Sequence, residues 1–221
     1  MAQRSPGKLW LRWVGANALG EMLGLGATLG IGYLVFARLG EPQNLAMSLL
    51  NFVLMVLSGA IEGAIVGWGQ WWAMHPWFPR ISRFSWLLAT ICGAMVAWFF
   101  GSLPFTLIDM GSQSAETPAV EPAQWMVLLA AAGVGLVAGA VLAFFQWRAL
   151  RKSVHKAAWW LPANMLAWAA GMPLIFWGID AIQKGMRPAA ASLTLAGVLL
   201  LTGAVVGAIH GAFLVRMVDR Q

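Results

Sequence analysis

Residues 124–147 read QWMVLLAAAGVGLVAGAVLAFFQW, a run that contains no Asp, Glu, Lys or Arg. A helix needs about 20 mostly apolar residues to cross the hydrocarbon core of a bilayer. The run therefore predicts a transmembrane helix. Other segments have the same character, and together they predict six spans: roughly 13–36, 47–73, 84–108, 124–147, 158–181 and 189–215.

The composition of the whole chain agrees with a membrane protein. Of its 221 residues, 60% are hydrophobic and only 10% are charged, whereas soluble domains carry about 25% charged residues. The one cysteine, Cys92, excludes an intramolecular disulfide. We expect an all-α polytopic protein that forms a single membrane domain over residues 1–221, in a bacterial cytoplasmic or internal membrane.

The basic residues are divided unequally between alternate loops. One side of the predicted membrane has most of them: Arg4, Lys8, Arg12, Arg80, Arg83, Arg148, Arg151, Lys152, Lys156, Arg216 and Arg220. The other side has Arg38, Lys184 and Arg187, together with an acidic loop at about 109–123. Because cytoplasmic loops carry the excess of Lys and Arg, both termini are predicted to be cytoplasmic.

Basic and aromatic residues cluster at the predicted cytoplasmic boundary. Four basic residues follow the fourth span, where we expect contact with anionic lipid headgroups and not with a nucleic acid: Arg148, Arg151, Lys152 and Lys156. Ten of the 14 tryptophans also lie near this boundary: Trp10, Trp13, Trp68, Trp71, Trp72, Trp77, Trp86, Trp147, Trp159 and Trp160. They are interpreted as an interfacial aromatic belt.

Two patterns recur three times along the chain. The odd-numbered helices share W-x-x-A-[NT]-x-x-[GA]-x-x-x-[GA], starting at Trp13, Trp86 and Trp160. The even-numbered helices share G-x-x-x-[GA]-x-x-[QH], starting at Gly63, Gly139 and Gly203. These patterns predict three related helical hairpins in parallel orientation, about a pseudo-threefold axis along the membrane normal. The predicted repeats cover about 10–75, 83–152 and 157–217.

The repeated polar positions form a predicted layer in the cytoplasmic third of the membrane. Its members are Asn17, Thr90 and Asn164 from the odd helices, with Gln70, Gln146 and His210 from the even helices. Such side chains can hydrogen-bond between helices, and a structural role is favoured because the feature recurs three times. For His210 we expect a packed, hydrogen-bonding role and no metal, since no neighbouring Cys or His completes a site.

Glu21 and Glu62 break the repeat. The positions equivalent to Glu21 are Ala94 and Trp168, and those equivalent to Glu62 are Ala138 and Thr202. Glu21 lies about 12 Å inside Trp13, and Glu62 lies about 15 Å inside Trp72, at 1.5 Å per helical residue. Intramembrane acids are functional candidates, and two neighbouring carboxyls can share a proton. They therefore predict a proton, cation or ligand site, with Asn17 and Gln70 nearby; the alternative is that each carboxyl stays protonated and bonds a neighbouring helix.

One stretch carries a family resemblance. Gln146-Trp147-Arg148-Ala149-Leu150-Arg151, followed by Trp159-Trp160-Leu161-Pro162-Ala163-Asn164, resembles a family of uncharacterised bacterial multi-pass proteins with repeated Q-W-x-x-L-R and W-W-x-x-A-N segments. The strong match covers about 40 residues, with weaker copies at Gln70-Trp71 and near His210. The resemblance implies the repeat and the six-helix architecture, and it implies no activity.

Three classes of function remain open. The chain has no H-E-x-x-H, C-x-x-C, G-x-S-x-G or Walker sequence. We expect a non-enzymatic accessory or scaffold subunit that binds lipid, a hydrophobic pigment or a larger membrane complex through Gly- and Trp-rich helix faces, as a subunit or a homo-oligomer. The alternative is a small proton- or cation-coupled transporter or channel that uses Glu21 and Glu62. An intramembrane enzyme is favoured least, and no cofactor or metal is identified.

Overall fold

A computed structural model of the protein describes residues 5–112, 122–182 and 185–218. These residues form six α-helices and no strand: α1 Pro6–Leu39, α2 Leu45–Met74, α3 Arg83–Ser112, α4 Gln124–Leu150, α5 Trp160–Asp180 and α6 Pro188–Val218. A short 3₁₀ turn, Ala157–Trp159, precedes α5. Most of the predicted external loop lies outside the described residues, as do Arg4, Lys184 and Arg220.

The all-helical prediction is confirmed for the described part of the chain. Five helices, all except α5, are long and apolar enough to cross a membrane. The 21 residues of α5 would extend about 32 Å at 1.5 Å per residue. Its tryptophans, two prolines and Asn164 lower its mean hydropathy.

Local sequence explains where several helices begin and end. Pro6 and Pro188 stand at the first positions of α1 and α6, where the missing N–H of proline costs no helical hydrogen bond. At the start of α2, the Asn44 side chain accepts a hydrogen bond of 3.0 Å from the Met47 N–H, which is a favourable helix cap. Gly40 ends α1 with a φ of 71°, a conformation that glycine adopts readily.

The six helices form a closed ring in chain order, and α6 packs on α1 to complete it. Neighbouring helices are antiparallel. For example, Gly20 and Gly24 of α1 approach Val66 and Glu62 of α2, respectively. Gly211 of α6 likewise lies against Trp10 and Trp13 of α1. The first residue of α1, Pro6, and the last residue of α6, Val218, therefore lie at the same end of the bundle, which we name the terminal end.

Two apolar clusters fill the bundle. One lies at the terminal end and includes Trp13, Trp86, Trp160 and Leu214. The other lies deeper and includes Leu25, Trp168, Leu199 and Val206. Between them come the six side chains of the predicted polar layer, and all six are buried. Buried polar groups need hydrogen-bond partners, and the side chains of this layer are placed to supply them to one another.

Candidate functional site

Three tryptophans meet at the centre of the terminal end. The ring centroids of Trp13 and Trp86 are 6.4 Å apart, those of Trp13 and Trp160 are 5.8 Å apart, and those of Trp86 and Trp160 are 6.1 Å apart. All three pairs are edge-to-face, an arrangement that aromatic rings favour. Each of these side chains is fully buried. We name them the tryptophan triad.

The triad corrects the interpretation of an interfacial belt. A belt residue lies at the headgroup level with its ring exposed to lipid, so that interpretation is wrong for Trp13, Trp86 and Trp160. Trp68, Trp72 and Trp159 are more than half exposed, as a belt requires. The triad instead closes the centre of the bundle with three large rings.

One layer deeper, each odd-numbered helix holds a polar side chain against its own backbone. Asn17 Nδ2 donates to the carbonyl of Trp13 at 2.8 Å, and Asn164 Nδ2 donates to that of Trp160 at 3.0 Å. Thr90 Oγ1 donates in the same way to the carbonyl of Trp86 at 3.0 Å. Each bond links residues four positions apart, so each of these groups has a partner within its own helix.

The two glutamines join these groups across helices. Gln70 Nε2 donates to Asn17 Oδ1 at 2.8 Å. Gln146 Nε2 lies 3.0 Å from both Gln70 Oε1 and Thr90 Oγ1, and Gln146 Oε1 accepts from the Trp160 indole at 2.9 Å. The resulting chain of hydrogen bonds connects α1, α2, α3, α4 and α5.

His210 extends this chain to α6. Its Nδ1 accepts a hydrogen bond of 2.7 Å from the Trp13 indole, and its ring lies 5.4 Å from that of Trp160. In the part of the chain that the structure describes, no three His, Cys, Asp or Glu residues come together as a metal site. The remaining indole of the triad, Trp86 Nε1, is buried with no hydrogen-bond partner among the described residues.

Glycines allow the closest approaches between helices. A Cβ atom at Gly63 of α2 would lie 2.7 Å from the Cα of Ile91 in α3, and one at Gly139 of α4 would lie 2.5 Å from the carbonyl oxygen of Asn164 in α5. At Gly203 of α6 it would meet the carbonyl oxygen of Asn17 in α1. These glycines therefore lie inside the bundle, between helices, and not on its outer faces.

The two acidic side chains meet where α1 crosses α2. A Cβ atom at Gly24 would lie 3.2 Å from the Cα of Glu62, so the two backbones are in close contact there. Glu21 is 2% exposed, and its Oε2 has no hydrogen-bond partner within the described ranges. Glu62 is half-buried, and Glu21 lies one turn of α1 away from Gly24, the residue whose backbone contacts Glu62.

Trp98 of α3 is a further member of this site that the sequence patterns missed. Its indole Nε1 donates to Glu62 Oε2 at 2.8 Å. A signal existed in the sequence: an indole within an apolar span needs an acceptor for its N–H. By contrast, Asn17 and Gln70, which were predicted near the two acids, bond to each other in the polar layer.

The predicted lipid-contact residues lie at the surface of the terminal end. All four are exposed: Arg148, Arg151, Lys152 and Lys156. Arg12, by contrast, has a structural contact. Its guanidinium lies 4.3 Å from the centroid of the Trp72 ring and donates to the Trp72 carbonyl at 3.2 Å, which stabilises the last turn of α2.

The chain matches no protein-family model, no curated protein and no solved structure.

Proposed function

We propose that the protein is an integral membrane protein of a bacterial cytoplasmic or internal membrane, with six spans and both termini in the cytoplasm. The antiparallel ring, with Pro6 and Val218 at the same end, supports an even number of crossings. The exposed basic loop between α4 and α5 lies at that end, as the positive-inside rule requires. The polar layer and the glycine contacts recur at equivalent positions, which supports three related hairpins.

Within that membrane the protein acts as a non-enzymatic accessory or scaffold subunit. The observation that carries this function is the tryptophan triad, because three buried rings close the centre of the bundle where a channel along its axis would run. The amides beneath the triad bond to one another. The surface that remains for recognition is the outer one, where Phe84 and Leu193 are about three-quarters exposed.

Native-complex analysis tests this function. The protein is extracted from its own membranes in mild detergent and separated by size, and the fraction that contains it is examined by mass spectrometry and visible absorption. An accessory subunit co-migrates with a larger membrane assembly, a bound pigment or a defined lipid. A colourless 23.8 kDa species without partners would reject this function.

A second candidate function is proton- or cation-coupled transport. The observation that favours it is the buried Glu21 carboxyl, whose Oε2 has no hydrogen-bond partner among the described residues, with Glu62 on the facing turn of α2. A carboxylate near the bilayer centre costs about 2.5–3.5 kcal/mol even on insertion-based scales. A functional role would explain an acid at this depth.

Proteoliposome flux measurements test the second candidate. Wild-type protein is compared with Glu21→Gln and Glu62→Gln, and with Glu41→Gln as the matched control in an exposed loop. If the protein is a transporter, we expect Glu21→Gln and Glu62→Gln to fold and to lose proton or cation flux. The control, Glu41→Gln, should keep it. Equal flux in all four proteins would exclude a transport role for the two carboxyls.

A further inference from the structure

Glu21, Glu62 and Trp98 bring three neighbouring helices together at one buried point. The carboxyl of Glu21 is almost completely enclosed, and one of its oxygens is unpartnered within the described residues. The carboxyl of Glu62 reaches across to α3, where it accepts the Trp98 N–H at 2.8 Å. The two acids thus have unequal surroundings, because Glu62 Oε2 has a hydrogen-bond donor and Glu21 Oε2 has none among the described residues.

Within the described ranges, no Lys or Arg side chain forms an ion pair with either carboxyl. The Lys and Arg residues of the six helices all stand near helix ends: Lys8, Arg12, Arg38, Arg83, Arg148 and Arg216. Arg12, on the same helix as Glu21, contacts Trp72 instead. Of the titratable groups on the helices packed around the pair, His210 of α6 is bonded to Trp13 and Cys92 of α3 is half-buried.

Two charged carboxylates on facing turns of packed helices, without a counter-ion among the described residues, are unfavourable. A hydrogen bond to a carboxylate stabilises its charged form, which makes Glu62 the member that carries the charge. We propose that Glu21, Glu62 and Trp98 form a buried site that binds one proton, carried on Glu21, with Trp98 as the residue that positions the Glu62 carboxylate. This site uses the same two carboxyls as the second candidate function, and it rests on that function in this respect alone.

The ligand chemistry favours a proton over a metal ion. Hard cations such as Ca²⁺ and Mg²⁺ need about six or more oxygen ligands. The described residues bring two carboxyls together here, and the indole N–H of Trp98 already points at Glu62 Oε2. A cation at that oxygen would face the positive end of the N–H bond. A proton on Glu21 needs only one oxygen.

Infrared spectroscopy of the full-length protein in detergent tests the proposal. A protonated carboxyl has a carbonyl band that is separate from carboxylate and amide bands and that shifts in D₂O. We expect one such band at neutral pH that Glu21→Gln removes, while Glu62→Gln and the surface control Glu41→Gln retain it. Absence of the band in the wild type, or its loss in Glu62→Gln and not in Glu21→Gln, would overturn the assignment.

A separate infrared measurement tests the positioning role of Trp98. In Trp98→Phe, Glu62 loses its donor and takes up a proton, so the protonated-carboxyl intensity at neutral pH rises, up to about twofold for two protonated groups instead of one. Trp125→Phe, at an exposed position of α4, is the matched control and leaves the intensity unchanged. An unchanged band in folded Trp98→Phe would contradict the positioning role. The infrared measurement does not depend on ion flux. A protonated-carboxyl band from Glu21, in a protein that shows no flux in proteoliposomes, would therefore reject transport and support the proton site.

Discussion

Asn17 and Glu21 lie one helical turn apart on α1, and their side chains have opposite surroundings. Asn17 donates to the Trp13 carbonyl and accepts from Gln70, whereas Glu21 Oε2 has no partner among the described residues. Sequence spacing grouped these residues as one candidate site. The contacts separate them into a hydrogen-bonded layer and a carboxyl pair, and the two groups call for different tests.

His210 allows a direct test of the repeat at a single residue. In the other two copies this position is Gln, and Gln146 accepts the Trp160 indole as His210 accepts that of Trp13. His210→Gln can still supply an acceptor, so we expect its stability to remain within about 1 kcal/mol of the wild type. His210→Leu leaves the Trp13 N–H buried and unpaired and costs roughly 1–3 kcal/mol.

The midpoint of unfolding in mixed detergent micelles measures the stability of both variants and of the wild type. Equal destabilisation by Gln and Leu would show that position 210 does not follow the pattern of the other copies. Equal stability of all three proteins would show that the Trp13–His210 hydrogen bond contributes little to the fold.

At the scale of helices, α4 offers a matched pair of glycines. A Cβ atom at Gly135 would collide with the carbonyl of Trp168 in α5, whereas at Gly133 it would have no neighbour within 4 Å. Gly135→Ala must therefore push two backbones apart, and we expect a loss of roughly 1–3 kcal/mol, as for other overpacked sites. Gly133→Ala should be neutral or slightly stabilising, because Ala favours the helix.

Thermal unfolding of the two variants in the same detergent tests this packing. A similar loss of stability in both would indicate a general sensitivity of α4 to alanine. No loss in either would mean that α4 and α5 do not approach as closely as Gly135 requires.

The helices were more predictable than their contacts. Residues 124–147 were predicted as a span, and α4 occupies Gln124–Leu150, because hydropathy over some 20 residues is a local property. Trp13 was misinterpreted because an indole at the edge of a span looks the same in sequence whether it faces lipid or the bundle. The bond between Glu62 and Trp98 joins residues 36 positions apart, and no local pattern specifies such a pair.

For the whole molecule, the closed ring has a consequence for topology. With α6 packed antiparallel on α1, both described termini share one side, and the charge distribution predicts that this side is cytoplasmic. In a Cys92→Ser background, an impermeant thiol reagent added outside intact cells should label Glu41→Cys and not Ser5→Cys. Labelling after lysis confirms that both cysteines are reactive. Outside labelling at position 5 would reverse the orientation.

If the protein acts as an accessory or scaffold subunit, its outer faces contact a partner, which is another membrane protein, a pigment or a defined lipid. Photo-crosslinking in native membranes tests it most directly, with a photoreactive residue placed singly at Tyr33, Leu129 or Leu193, each at least 66% exposed. We expect at least one position to yield a specific adduct with such a partner, identified by mass spectrometry and absent without light. Adducts with bulk membrane lipid alone at all three positions, in proportion to its abundance, would show that these faces recognise no partner.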